Sequence, residues 1–366
     1  MHLVIVAGTR PNFVKISPIV RALSKAQGKG ARIDFSLVHT GQHYDRSMSG
    51  TFFEDLEIPE PEVNLCVGSG TQTEQTAAIM MGFERFLLSR SCDMVIVVGD
   101  VTSTMACAIV TKKLNILLAH VEGGIRSFDV TMPEEINRKV TDSITDHFFT
   151  TSRFANENLR KEGIPNERIH FVGNVMIDSL VHQQNKLYQP SLFEKFNLDK
   201  NQYLVLTLHR PSNVDDPNNL LKLLETIRAH SQQYPVIFPI HPRTKKVMED
   251  NGINIKNLHI IDPMSYSEFI YLIKYATAVI TDSGGITEET TVLGVPCLTL
   301  RNNTERPETC IEGTNELIGT DPANLQIALE TLFAGKWKKG NIPEYWDGKS
   351  AERIVGRLLQ ILGKPE

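Results

Sequence analysis

The sequence contains no apolar run approaching the roughly 18 residues that a membrane-spanning helix requires, so no span is expected. It has no basic excess. Lys+Arg total 38 against Asp+Glu 43, for a formal charge of -5, whereas a nucleic-acid-binding domain carries a basic footprint. A local cluster of Arg, Lys and His can still face a small anion. There is no C-x-x-C pair, and the cysteines (Cys66, Cys92, Cys107, Cys297 and Cys310) number five. An odd set without pairing motifs argues for reduced thiols and a cytoplasmic protein. The opening residues, MHLVIVAGTRPNFVK, lack a basic n-region and carry only a short apolar run, so no signal peptide is expected. No short-period repeat and no low-complexity tract is visible.

What is present is an ordinary globular composition, 41% hydrophobic and 22% charged, over 366 residues. That length fits two domains. It can bury a core without disulfide or metal staples. Short β-branched runs alternate with longer amphipathic stretches. Strands are expected at His2–Ala7, 33–39, Met94–Val98, 116–121 and His147–Thr150, then at 203–208, 236–240, Leu258–Ile261, Ala278–Thr281 and 297–300. Many of these runs are continuous rather than alternating, which suits strands buried on both faces of a parallel sheet. Helical patterns between them, such as 13–23 and 220–229, complete a repeated βα order and imply doubly wound α/β layers. A polar stretch at 181–201 is the candidate linker between two sets of about five strands each, and the chemistry is expected at the carboxyl ends of the strands.

Five strand-end constellations carry candidate chemistry. GTRPNFVK, residues 8–15, follows the first strand. Arg10 and a helix N-terminus would attract a phosphate or carboxylate, with Lys15 about one turn further on; a capped helix with two solvated cations is the plainer alternative. GDVTST, residues 99–104, puts Asp100 at a strand's carboxyl end, either as a reacting group or as a helix cap. HVEGGIRS and MPEEINR contribute Glu122, Glu134 and Arg138. Carboxylates meeting in one cleft repel each other, which separates their pKa values and suits acid–base work. His120 and Glu122 match the H-x-E of zinc deaminases, but the P-C-x-x-C partner is absent and no metal is expected.

In the second half, His209 and Arg210 follow one strand and His241 and Arg243 another, which would form a basic rim facing an anion. TDSGGITEE supplies Ser283, Gly284 and Gly285 at a strand-to-helix turn suited to a diphosphate, with Glu289 placed to accept from ribose hydroxyls.

Taken together, GTRPNFVK, VGDVTST, HVEGGIRS, MPEEINR, FVGNVMID, TLHRPSN, TDSGGITEE, NNTERPE and WDGKSAERI resemble the non-hydrolysing UDP-N-acetylglucosamine 2-epimerase family, in order along almost the whole chain. The resemblance implies two Rossmann-like domains of glycosyltransferase-B architecture with the active site in the interdomain cleft. Residues 1–175, joined by a C-terminal helix at 351–366, would form the first domain and 176–350 the second. It implies Asp100, Glu122 and Glu134 as catalytic carboxylates, with base and acid unassigned, and His209 as a further catalytic residue. His209 and Arg10 would meet the phosphates, Lys15 and Arg138 would be further active-site cations, and Ser283, Gly284, Gly285 and Glu289 would hold UDP. It implies a UDP-amino sugar substrate, no cofactor and a homodimer.

The expected reaction is reversible epimerisation at carbon 2 of a UDP-N-acetylhexosamine, with UDP-N-acetylglucosamine to UDP-N-acetylmannosamine as the leading pair, by loss of UDP to a 2-acetamidoglucal and its re-addition. A hydrolysing 2-epimerase, a glycosyltransferase and a non-catalytic UDP-sugar sensor are the alternatives. The chain departs from the common pattern at Asn12-Phe13, in HRPSN, and in TGQHYDRSM, which keeps Gln42 and His43 of the family's allosteric segment but not the residue after them. HTGQHYD and MPEEINR look closer to relatives acting on modified sugars such as diacetamido-uronic acids, so reaction type is better defined than substrate.

Overall fold

The computed structural model describes residues 1–41, 53–54, 56–184, 186–231 and 234–363. Gln42 and His43 lie outside these residues. The chain forms two compact units: Met1–Ser179 with Glu344–Glu366, and Leu180–Pro343.

Unit 1 contains β1 (His2–Ala7), β2 (Asp34–His39), β3 (Val63–Asn64), β4 (Met94–Val98), β5 (Leu117–Val121), β6 (His147–Thr150) and β7 (Ile169–Phe171). The strands make one parallel sheet in the order β3-β2-β1-β4-β5-β6-β7. Val4, Val6, Val95 and Val97 meet Ile79 and Phe83 of helix Gln72–Leu88 in a fully buried layer.

Unit 2 contains β8 (Leu204–Thr207), β9 (Val236–Pro239), β10 (Leu258–Ile261), β11 (Ala278–Thr281), β12 (Cys297–Thr299) and β13 (Asn315–Leu317). Its parallel order, β10-β9-β8-β11-β12-β13, is that of a dinucleotide-binding sheet. Leu220, Leu223, Leu224 and Ile227 of helix Pro217–His230 cover one face, and Leu272 and Ile273 belong to the core on the other. Both units are thus doubly wound and Rossmann-like, as the repeated βα order implies.

The differences from expectation have simple causes. The strands missed in the sequence, β3, β7 and β13, are two or three residues long and lie at sheet edges, where burial imposes no continuous apolar run. The polar stretch read as a linker is partly helical, in Val175–Gln184 and Leu192–Lys195, because Leu192 and Phe193 bury themselves against Tyr203 and Tyr271.

Each sheet order reverses once, between β1 and β4 in unit 1 and between β8 and β11 in unit 2. At such a point the neighbouring loops diverge and open a crevice at the strands' carboxyl ends. The candidate residues cluster at these two places. No helix among the described residues is long and apolar enough to cross a membrane.

Candidate active site

In unit 1, helix Arg10–Gly28 starts directly after β1, with Thr9 at its cap and Pro11 in its first turn. Arg10 is exposed at this N-terminus. Asn12 binds the two diverging loops together. Its Oδ1 accepts from the Thr9 backbone at 3.2 Å, and its Nδ2 donates to the Val98 carbonyl at 3.1 Å.

One turn on, Lys15 Nζ meets Glu122 Oε2 at 2.8 Å, with the two side chains 14% and 2% exposed. Glu122 follows β5 and sits at φ 71. A left-handed backbone at a non-glycine residue costs energy and is kept where the surroundings enforce it. Gly99, at φ +68, makes room for this pair: a Cβ there would lie 3.1 Å from Lys15 Nζ.

The second ion pair lies at the neighbouring strand end. Arg138, buried on helix Pro133–Ile144, donates to Asp100 Oδ2 at 2.6 Å and to Glu135 Oε2 at 2.8 Å. Asn137 donates to the Asp100 carbonyl at 2.8 Å. Asp100 keeps 30% of its side chain exposed, so its carboxylate is both tethered and reachable. Glu134 is exposed on the same helix and makes no ion pair among the described residues. Its neighbour Glu135 is fully buried. It accepts from the backbone N–H of Ser127 and Phe128 and from the Ser127 hydroxyl. Burial alone would raise its pKa, but those donors and Arg138 hold it below the usual value.

In unit 2, Asp282 directly follows β11 and is fully buried. It accepts from the backbone N–H of His209 and Arg210, from Asn213 Nδ2 at 3.1 Å and from His209 Nδ1 at 2.7 Å. Burial pushes its pKa up, and His209 with the backbone donors more than reverses that. The loop after β8 is thereby fixed to the turn after β11.

Ser283 then caps helix Gly284–Leu293, and its hydroxyl makes no capping bond to the helix. The first backbone N–H groups of a helix attract an anion. Gly284 permits a close approach here, since a Cβ would come 2.6 Å from Glu305 Oε1. Glu305 pairs with Arg301 at 2.6 Å. Burial would raise its pKa, yet Arg301, Arg210 and Arg306 hold it at about 2. Gly285 faces open space.

His209 and His241 have ring centroids 5.7 Å apart. His241 Nδ1 accepts from the Arg243 backbone at 3.2 Å and caps its helix. The Arg243 side chain instead forks onto Asp215 on the surface, at 2.8 and 2.5 Å. Glu289 is buried, and Tyr266 donates to it at 2.9 Å. Burial raises the Glu289 pKa to about 8, against the Tyr266 hydrogen bond and with a contribution from Glu288. A cavity of about 260 Å³ adjoins the turn, and His209, His241, Met264, Phe269, Ser283 and Ile286 are among its lining residues. Its apolar walls suit a flat ring beside a diphosphate.

Sequence reasoning did not single out Glu135, Asp282, Asn213, Tyr266 or the Met264–Phe269 wall. Glu135, Asp282 and Asn213 lie inside the motifs MPEEINR, TDSGGITEE and HRPSN, but their partners are not visible in the local sequence except for Glu135 and Arg138.

The chain is a two-unit, doubly wound α/β protein whose candidate residues gather where each sheet order reverses. The profile of the UDP-N-acetylglucosamine 2-epimerase family matches residues 25–359. A UDP-N-acetylglucosamine 2-epimerase of Methanocaldococcus jannaschii is 43% identical over 373 residues, 98% of this chain and 99% of that protein. A crystal structure of the M. jannaschii UDP-GlcNAc 2-epimerase in complex with UDP-GlcNAc and UDP superimposes with TM-score 0.88 at 42% identity, over 98% of this chain and 100% of that one. A UDP-2,3-diacetamido-2,3-dideoxy-D-glucuronate 2-epimerase of Pseudomonas aeruginosa is 35% identical over 99% of this chain and 100% of its own length. The chain belongs to the UDP-N-acetylglucosamine 2-epimerase family.

Proposed function

We propose that the protein is a non-hydrolysing 2-epimerase that interconverts UDP-N-acetylglucosamine and UDP-N-acetylmannosamine. The observation that carries this reading is the pair of ion pairs at adjacent strand ends, Lys15–Glu122 and Asp100–Arg138. They put two carboxylates, each with its own cation, on neighbouring loops. The 43% identity to an epimerase supports the same reading.

The hydrogen on carbon 2 of the sugar is not acidic while the UDP is attached, because no carbonyl adjoins it. As UDP leaves carbon 1, positive charge develops there and the carbon-2 proton becomes removable. Ser283, Gly284 and Gly285 would hold the departing diphosphate, with Arg10 and His209 as further phosphate contacts and His241 beside them. Glu289 would bind the ribose, and the Met264–Phe269 cavity the uracil. One carboxylate among Asp100, Glu122 and Glu134 takes the proton to give 2-acetamidoglucal and UDP. Proton delivery to the opposite face and re-addition of UDP give the epimer. No redox cofactor or metal enters this balance. Arg243, engaged with Asp215, has the weakest support as a ligand contact.

Proton NMR in D₂O tests the proposal. Deuterium at carbon 2 and a second UDP-sugar are the expected result. Unlabelled substrate across a panel of UDP-amino sugars overturns it. Accumulating free N-acetylmannosamine would establish the hydrolysing reaction instead.

The 35% identity to the P. aeruginosa enzyme favours one second reading, epimerisation of a UDP-diacetamido-uronic acid, which the same panel resolves. Five free cysteines support a reducing, cytoplasmic setting. Exposed Met81 and Leu88 on helix Gln72–Leu88 support association into a homodimer, measurable by analytical ultracentrifugation.

A further inference from the structure

His120 is fully buried on β5, its backbone in register with Val97 of β4 and Phe148 of β6. Its Nδ1 lies 2.6 Å from Asp142 Oδ1 and its Nε2 lies 2.8 Å from the Gly99 carbonyl oxygen. A carbonyl oxygen only accepts. The second oxygen of Asp142 accepts from the Gly124 backbone at 2.9 Å and from Arg126 at 2.7 Å. Burial would raise the Asp142 pKa, but His120, Arg126 and the Gly124 N–H together hold it below the ordinary carboxylate value. Asp142 is therefore an anion and also only accepts. An imidazole with an acceptor on each side must donate from both nitrogens, which only its doubly protonated form can do. Such a ring has no lone pair for a metal, so the H-x-E resemblance to zinc sites has a different explanation here.

The partners of this ring are the segments that carry the proposed catalytic groups. Gly99 immediately precedes Asp100, and His120 is two residues before Glu122. Asp142 lies one turn after Arg138 on the helix that also bears Glu134. Arg126 continues the chain of alternating charge to Glu162, at 2.8 and 2.6 Å.

We propose that His120 is a positioning residue: a buried imidazolium, bridging Asp142 and the Gly99 carbonyl, that sets the spacing of the loops holding Asp100 and Glu122. This rests on the reading of those carboxylates as catalytic. The ring is wholly enclosed and touches no substrate. It acts by holding two strand-end loops and one helix at a single point. A neutral ring would keep only one of its two bonds and loosen the spacing that the pair of bonds sets. Displacing a reacting group by about 1 Å can cost about 100-fold in rate.

The test has two independent readouts. The first is ¹⁵N NMR of the intact histidine-labelled wild-type protein at neutral pH, with His120 identified by its slow hydrogen exchange. Protons on both ring nitrogens are expected, and a proton on only one overturns the proposal. The second is His120→Gln, whose single NH₂ cannot donate in two opposite directions. A loss of kcat of about 100-fold is expected, with UDP affinity as in the wild type by calorimetry. Wild-type kcat in that variant overturns the proposal. If His120→Gln loses folding and UDP affinity together, Asp142→Asn is decisive, because it keeps the shape and removes the anion. Reduced kcat with intact UDP binding then supports the proposal, and wild-type kcat overturns it. If the wild-type enzyme exchanges no carbon-2 hydrogen with any UDP-sugar, the epimerase reading fails, and the ring protonation still decides the bridge.

Discussion

His209 Nδ1 lies 2.7 Å from the buried carboxylate of Asp282, and this contact joins the loops that follow β8 and β11, the paired strands at which the sheet order of unit 2 reverses. Asp282 also collects the backbone N–H groups of His209 and Arg210, so one side chain sets the place of a whole loop.

Asp282→Asn keeps the volume but turns half of the acceptor into a donor that faces other donors. Stability is expected to fall by about 2 kcal/mol. UDP affinity is expected to fall at least tenfold, since the loop bearing His209 loses its anchor. Calorimetric titration with UDP and urea unfolding measure the two effects. Unchanged affinity would separate Asp282 from ligand binding. The depressed Asp282 pKa also has a sign: its contribution to stability is present above the unfolded carboxylate value of about 3.9 and fades as pH falls through the lower folded value.

Glu122→Gln is expected to slow carbon-2 hydrogen exchange by about 10²–10⁴-fold while leaving UDP binding intact. The amide cannot exchange protons with substrate, and Lys15 loses its charged partner at 2.8 Å. The NMR exchange rate in D₂O measures the effect. Retention of the full rate would remove Glu122 from the proton-transfer steps.

Glu134 and Glu135 are adjacent but differ in environment, and their variants are expected to differ accordingly. Glu135→Ala strips Arg138 of a buried partner and leaves the Ser127 and Phe128 N–H groups without their acceptor. It is expected to destabilise unit 1 by about 3 kcal/mol. Glu134→Gln, at an exposed carboxylate, is expected to leave the melting temperature alone and lower kcat. Thermal unfolding beside turnover tells them apart. Equal melting losses in both variants would contradict the assignment.

Glu289 makes the stability of the unliganded protein fall as pH rises from acid through neutral. Its pKa rises from 4.5 to about 8 on folding, so the folded state holds the proton more tightly. The stability this group contributes is complete below about 4.5 and is lost as pH climbs through about 8. The melting temperature of the wild type is therefore expected to drop relative to Glu289→Gln across that window. Parallel curves for the two proteins would show that Glu289 ionises in the folded state as freely as in the unfolded one.

What could be read from sequence follows from how each feature is encoded. The central strands were legible because burial on both faces demands unbroken apolar runs such as MVIVV and AVIT. Lys15, Asp100, Glu122, His209 and Ser283 stood out because each lies at or one turn beyond a strand's end. Asp282 and Asn213, 69 residues apart, and His120 and Asp142, 22 apart, meet only through the tertiary fold. Arg243 shows the converse: its position beside His241 suggested an anion contact, but Asp215, 28 residues away, claims its guanidinium.

The order of synthesis follows from how the chain is threaded. Trp346, 1% exposed, donates to the Thr151 carbonyl at 3.0 Å. The backbone N–H groups of Ser350 and Ala351 bind the Asp178 carboxylate at 3.0 and 2.7 Å. These partners from residues 344–366 leave the ribosome only after all of unit 2 has been made. Unit 2 has every residue it needs as one continuous segment, whereas unit 1, though begun first, must wait with an open flank. Unit 1 is therefore the first to be begun and the last to be completed, its flank left open through the synthesis of unit 2.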